Sequence, residues 1–171
     1  PRRGYVELRE VAGSIGGSMK HDDSDASRSE EFQQIASAVE ADDQLLIGGH
    51  VSAAGGVHRA IERGEQNAFN AIQVFTRNPN QWASPALKDE VVQEYRSLLE
   101  SSGIRYVVAH DAYLINLATP DAALRKRSIE AVLDELDRAE ILGIPDVVTH
   151  LGAPMGEGDD AGIERLISCL D

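Results

Sequence analysis

Two apolar runs in this chain close on a histidine. In VVAHDAYLIN, residues 107–116, the run ends in His110, Asp111 and Tyr113 before apolar residues resume; in DVVTHLGAP, residues 146–154, it ends in His150. If the two runs are neighbouring strands of a parallel sheet, their ends lie about 5 Å apart. Imidazoles so placed can share one ion, and zinc accepts neutral imidazole readily. Other polar residues close or follow the remaining apolar runs: His50 ends QLLIGGH and Ser52 lies just past it, and Thr76, Arg77 and Asn78 follow AIQVF. Two readings stay open here. One is a metal site at one end of a sheet; the other is a set of polar strand ends, each hydrogen-bonded to its own loop. Two imidazoles do not make a zinc site, and no carboxylate or third imidazole in the 171 residues has an obvious claim to complete it.

The elements that must position these residues follow from hydrophobic spacing. QLLIGGH, AIQVF, IRYVVAH and PDVVTH are short apolar runs without polar alternation, which predicts strands buried on both faces. Between them lie helical patterns. Val57, Ala60 and Ile61 mark the first, and Leu87, Val91, Tyr95, Leu98 and Leu99 mark the second, with Gly103 as its stop. Ile129, Val132, Leu133, Leu136 and Ala139 mark the third, with Thr119 as N-cap, Pro120 at the first helical position and Gly143 as C-cap. A fourth helix begins near Asp159 or Asp160, with Ile163, Leu166, Ile167 and Leu170 on one face. Strand and helix alternate four times, so the fold class is α/β with a parallel sheet. A doubly wound sheet or a (β/α)8 barrel can begin this way, but no G-x-G-x-x-G opens a helix, which counts against a dinucleotide fold. In a barrel, four units are half of the roughly 250 residues needed.

Composition sets the outer limits. An apolar fraction of 42% with 26% charged residues describes an ordinary soluble globular chain. No apolar stretch approaches the roughly 20 residues that span a bilayer, so no membrane partner is expected. Cys169 is the single cysteine, which rules out an intrachain disulfide and makes a reducing cytoplasm the default. The net charge of −13 argues at first against a nucleic-acid partner. Bound divalent ions, however, can invert the potential of an acidic cleft. Residues 1–43, rich in Ser, Asp, Glu and Gly, read as a disordered polar arm with a short helix possible in SEEFQQIASAVE. Residues 44–171 read as the folded domain. Pro1 stands where an initiator methionine would, Met19 is a plausible start, and the last helix face simply stops, so a fragment of a longer protein is expected.

The segments GGHVSAAGGVHRAI, QVFTRNPNQW, AHDAYLINLATP and VVTHLGAP, in that order, resemble the first four strand ends of the endonuclease IV family. These are zinc-dependent apurinic/apyrimidinic endonucleases on a TIM barrel. The resemblance runs from about Ile47 to Asp171. It implies the first four βα units of a (β/α)8 barrel, and DNA repair by hydrolysis of the phosphodiester 5′ of an abasic site in double-stranded DNA, leaving a 3′-hydroxyl. It also implies three zinc ions in the complete enzyme. His110 and His150 resemble two ligands of one of them, so this chain holds at most one partial site. No catalytic residue apart from these ligands is implied.

Tyr113 resembles a tyrosine that enters the DNA at the lesion, and TRNPNQW resembles the loop that probes the minor groove. Where the family often carries arginine this chain has Asn80, with Arg77 as an alternative source of positive charge and Asn78 between them. Asn116 is expected to hold loop backbone at the same surface, with His50, Ser52 and Asp111 lining the pocket behind the ligands. Trp82 is read as a loop anchor, and His58 and His21 as solvent-exposed and silent. The parent protein is expected to be a monomeric cytoplasmic enzyme, with this portion alone inactive. Two alternatives are a sugar isomerase or epimerase of the same barrel superfamily and a non-catalytic half-barrel.

Overall fold

The computed structural model describes residues 45–170 together with Gln33 and Ser37, both helical. The expected polar arm, its possible helix apart from those two positions, Met19 and His21 lie outside the described residues. Within residues 45–170 four strands and four helices alternate: β1 (Gly48–His50), α1 (His58–Gln66), β2 (Ala71–Phe75), α2 (Asp89–Ser101), β3 (Tyr106–His110), α3 (Ala122–Leu142), β4 (Asp146–Val148) and α4 (Asp159–Leu170). The strands form one sheet in the order β1-β2-β3-β4, and every pairing is parallel. An antiparallel pairing of β2 with β3 would have ruled out consecutive βα units. The register instead sets Phe75 opposite His110 and His110 opposite Val148.

The helices cover one face of this sheet. Ile72 and Val74 of β2 and Val107 and Ala109 of β3 are buried with Val57, Ala60, Ile61, Tyr95, Ala139 and Leu142. Burying each large aliphatic side chain there contributes roughly 1.5–3 kcal/mol. The opposite face is different. Ala71, Gln73, Phe75, Tyr106 and Val108 are only half-buried, so the strands alternate where burial on both faces was expected. That inner face carries the side chains that close each strand. A smaller cluster of Ala112, Ile115, Leu117, Ala131 and Leu166 lies under the loop that follows β3.

Several local expectations shift. Helix α3 is capped by Asp121, whose carboxylate accepts from the backbone N–H of Ala123 and Leu124. Thr119, expected in that role, instead accepts from the Asp121 N–H. Gly143 ends α3 in the left-handed region at φ 78°, as expected. Gly103 does not stop α2; the C-cap is Ser102, extended, with its hydroxyl donating to the Leu99 carbonyl. Helix α3 also turns a different face inward. Leu133 and Leu136 are exposed, while Ser128, Ala131, Glu135, Arg138, Ala139 and Leu142 are buried. On α4 only Leu166 of the expected apolar face is buried, and Ile163, Ile167 and Leu170 are exposed. No described helix is long and apolar enough to cross a membrane.

Candidate functional site

The C-terminal ends of the strands bring a row of rings together on the inner face. His50 closes β1, Phe75 closes β2 and His110 closes β3, while His150 lies two residues beyond β4. The His50 ring is 4.4 Å from Phe75 and 6.0 Å from His110. Phe75 is 5.3 Å from His110 and 5.0 Å from Tyr113, and His110 is 4.9 Å from His150. Phe75 therefore occupies the centre of the row. In the sequence Phe75 reads as an apolar strand end, although its place one residue before the polar loop is a usable signal.

His110 is buried between β2 and β4, and its Nδ1 lies 2.8 Å from the Asp111 carbonyl. A carbonyl only accepts, so Nδ1 is the N–H donor, and in the neutral ring the lone pair then lies on Nε2. As a donor pair the two histidines fit a zinc-like ion, since tetrahedral ligation with Zn–N of about 2.0–2.1 Å sets ring centroids about 5 Å apart. No group of three or more His, Cys, Asp or Glu able to hold a metal ion occurs among the described residues.

Asp111 is buried beside them. Its backbone N–H donates to the Val148 carbonyl (2.9 Å), Thr149 donates its hydroxyl to Oδ2, and Oδ1 has no hydrogen-bond partner. Burial pushes its carboxyl above the usual carboxylate range, opposed by the Thr149 hydroxyl and by His110 and His150. Asp111 thus ties the β3 loop to the segment that carries His150.

The expected DNA-facing residues divide into two groups. Tyr113 is 59% exposed, and its backbone N–H donates to the Pro79 carbonyl, stitching the β3 loop to the β2 loop. Asn78 and Asn80 are exposed, and the Asn78 carboxamide accepts from the Asn80 N–H. Asn116 is half-buried and clamps the loop after β4, donating to the Ala153 carbonyl and accepting from the Ala153 N–H. Ser52 is exposed and accepts from the Ala54 N–H, while His50 Nδ1 lies 3.2 Å from Gln73 Oε1.

Arg77 departs from its expected place. Its side chain is only 2% exposed, and its guanidinium is committed to Glu135, Asp134 and the carbonyls of Trp82 and Ala131. It grips the loop from beneath and offers no cationic face. His58 also departs, being buried against α2 with Nδ1 3.7 Å from Glu94. Trp82 anchors the loop as expected, packing on the smaller cluster beneath the Arg127 guanidinium, 4.4 Å from its ring centroid.

A profile of the xylose isomerase-like TIM barrel family matches residues 57–171. A protein named "Probable endonuclease 4" from Geobacter sp. (strain M21) is 41% identical over 126 residues, which cover 74% of this chain and 44% of that relative. The crystal structure of endonuclease IV from Thermus thermophilus superposes with a TM-score of 0.63 at 32% identity, covering 74% of this chain and 46% of that one. A D-psicose 3-epimerase crystallised with D-fructose superposes at TM-score 0.56 over 74% of this chain and 46% of that one, but at 16% identity the likeness is one of fold alone. The chain spans about half the length of the curated relatives it matches.

Proposed function

Because the chain belongs to the endonuclease IV family of xylose isomerase-like TIM barrels, we propose that it supplies part of the zinc centre and the lesion-facing loops of a cytoplasmic DNA-repair endonuclease. The reaction would be hydrolysis of the phosphodiester 5′ of an abasic site in duplex DNA, leaving a 3′-hydroxyl. The observation that carries this reading is the pair of imidazoles 4.9 Å apart with an exposed tyrosine beside them.

His110 and His150 would hold one zinc ion through ring nitrogens. His110 is preset for that role, since its contact to the Asp111 carbonyl fixes both tautomer and ring plane. What zinc supplies when bound is an acidified water and neutralisation of charge growing on the scissile phosphate. The remaining work belongs to the protein. Asp111, through Thr149, holds the two ligand-bearing segments together. Tyr113 offers a ring that can enter a gap in the base stack. An abasic nucleotide has no base to stack or pair, so displacing it costs little, and selectivity for the lesion follows. Asn78 and Asn80 would hydrogen-bond groove edges or backbone oxygens, and Asn116 holds the β4 loop at Ala153.

The test uses zinc titration and abasic-duplex binding together. His110→Ala in the whole enzyme should lose zinc and cleavage in parallel, and in the 171-residue chain it should abolish whatever zinc binding the two imidazoles provide. Unchanged zinc content in that variant, or equal affinity of the parent for abasic and undamaged duplex, would sink the reading.

A further inference from the structure

Beneath the β2 loop lies a cluster of four charged side chains that the function above does not use directly. Glu135 of α3 is fully buried, and its carboxylate accepts from the Thr76 hydroxyl (2.5 Å) and from Arg77 Nε (3.0 Å). Arg77 also donates to Asp134 Oδ2 (3.0 Å) and to the carbonyls of Trp82 (3.1 Å) and Ala131 (2.9 Å). Arg138, likewise buried, donates to the Thr76 hydroxyl (3.1 Å) and to the carbonyls of Thr76 (2.8 Å) and Pro85 (2.9 Å). The loop is thereby gripped at its first residue, at Trp82 and at its last residue, by two guanidiniums that converge on one helix.

The charges balance, two cations against two carboxylates, but they do not have equal roles. Asp134 is half-exposed and reaches only Arg77. Glu135 alone joins both grips, taking Arg77 directly and Arg138 through the Thr76 hydroxyl. A buried, fully satisfied ionic network adds little net stability over an apolar replacement, but it fixes one geometry, because removing one member leaves charges unpaired. Beyond the packing of Trp82 on the smaller apolar cluster, the loop above it has few other constraints. Apart from the Tyr113 N–H on Pro79 and Arg127 over Trp82, the polar contacts described for it come from this network or from within the loop itself.

We propose that Glu135 is a positioning residue: through Arg77 and Arg138 it sets the conformation of residues 76–85, and so the placement of Asn78 and Asn80 relative to Tyr113 and His110. The relevance of this placement to DNA rests on the function proposed above; the control of the loop does not. Trp82, the only tryptophan in the chain, lies in the loop and reports on it directly.

In Glu135→Gln the side chain keeps its size but loses its charge, and its amide group can no longer accept from both Thr76 and Arg77. Fluorescence of Trp82 in the 171-residue chain is read at a urea concentration where helical circular dichroism shows parent and variant equally folded. The expected result is a red-shifted emission and an acrylamide quenching constant raised toward that of a free indole. Arg77→Lys, which keeps a buried cation but has one nitrogen in place of three, should behave the same way and serves if Glu135→Gln does not fold. Leu133→Ala, an exposed position on the same helix, should leave Trp82 unchanged. Parent-like emission and quenching in folded Glu135→Gln or Arg77→Lys overturns the proposal. The second arm is anisotropy with an abasic duplex, where both variants should bind more weakly while their zinc titrations match the parent. If the parent shows no preference for abasic DNA but the Trp82 arm succeeds, loop control stands and the DNA reading falls.

Discussion

The inner strands β2 and β3 and the edge strand β4 hold functional side chains in two different ways. β3 has five residues and is paired on both sides, and His110 at its end is buried and hydrogen-bonded to backbone. β4 has three residues, paired among the described residues only to β3, and His150 stands two residues beyond it, exposed. The loops differ in parallel. The β2 loop rests on a buried ionic network, whereas residues 149–158 include four backbone positions with positive φ, at Gly152, Met155, Gly156 and Gly158. That loop is held mainly by the Asn116 clamp on Ala153, the Thr149 hydroxyl on Asp111, and Arg165 bridging Glu157 and the Ala118 carbonyl. One half of the imidazole pair is thus built into the sheet, and the other depends on a few polar contacts at its rim.

The largest expected effect separates the two regions by stability. Ile72→Ala on β2 removes a side chain that is 2% exposed and packed among α1, β3 and the strand's own neighbours, and should cost about 2–5 kcal/mol. Val148→Ala on β4 trims a side chain that is 41% exposed, and should stay within about 0.5 kcal/mol. Urea unfolding of the two variants against the parent measures both. Equal losses would mean that β4 is covered in solution by something that buries Val148, and the comparison would have to be redrawn.

This asymmetry was only partly legible in the sequence. AIQVF declared itself because an apolar, β-branched run bounded by Gly-containing and polar segments has few other uses, and His110 and His150 declared themselves by ending such runs. The α3 face was misread because hydrophobic spacing sends charges to solvent. Leu133 and Leu136 were therefore turned inward, whereas Glu135 and Arg138 take that place. Their burial becomes intelligible only once Arg77 and Thr76, more than fifty residues earlier, are folded over them. The same long-range pairing explains why Arg77 looked like a surface cation. The cap of α3 was assigned to Thr119 in place of Asp121 for a local reason: both have side chains that accept from backbone N–H groups, and sequence alone does not say which turn closes first.

A middle-sized effect probes the clamp on the β4 loop. Gly152 sits at φ 88°, where an L side chain is strained, and a Cβ there would run into the Asn116 carboxamide oxygen and lie 3.1 Å from the Ala118 nitrogen. Gly152→Ala should cost about 1–3 kcal/mol. The cost should fall on the loop more than on the sheet, because the displaced contacts are those to Ala153. Limited proteolysis is expected to cut within residues 150–158 faster, while hydrogen exchange of β2 and β3 amides stays close to the parent. Exchange that quickens across β2 and β3 as well would show that the two regions open together, and the division drawn above would be lost.

A small effect at neutral pH belongs to the densely packed side and grows only in alkali. Tyr95 of α2 is fully buried, its hydroxyl has no hydrogen-bond partner, and burial pushes its pKa up to about 12 from 10.0. The folded protein therefore keeps the phenolic proton at pH values where the unfolded chain has lost it. Because the folded state binds the extra proton, stability is unaffected below pH 10 and falls as pH rises from 10 toward 12, at about 1.4 kcal/mol per pH unit. Tyr95→Phe removes a buried hydroxyl that makes no bond, so at pH 7 its stability should lie within about 1 kcal/mol of the parent, on either side. Between pH 10 and 12 the variant should lose less stability than the parent, and the two urea midpoints should diverge steadily. Val148→Ala at the β4 edge should instead follow the parent's alkaline slope, since it leaves Tyr95 in place. If the parent and Tyr95→Phe share one slope above pH 10, water reaches the Tyr95 hydroxyl in solution, and the β2–β3 side is less tightly closed than its packing indicates.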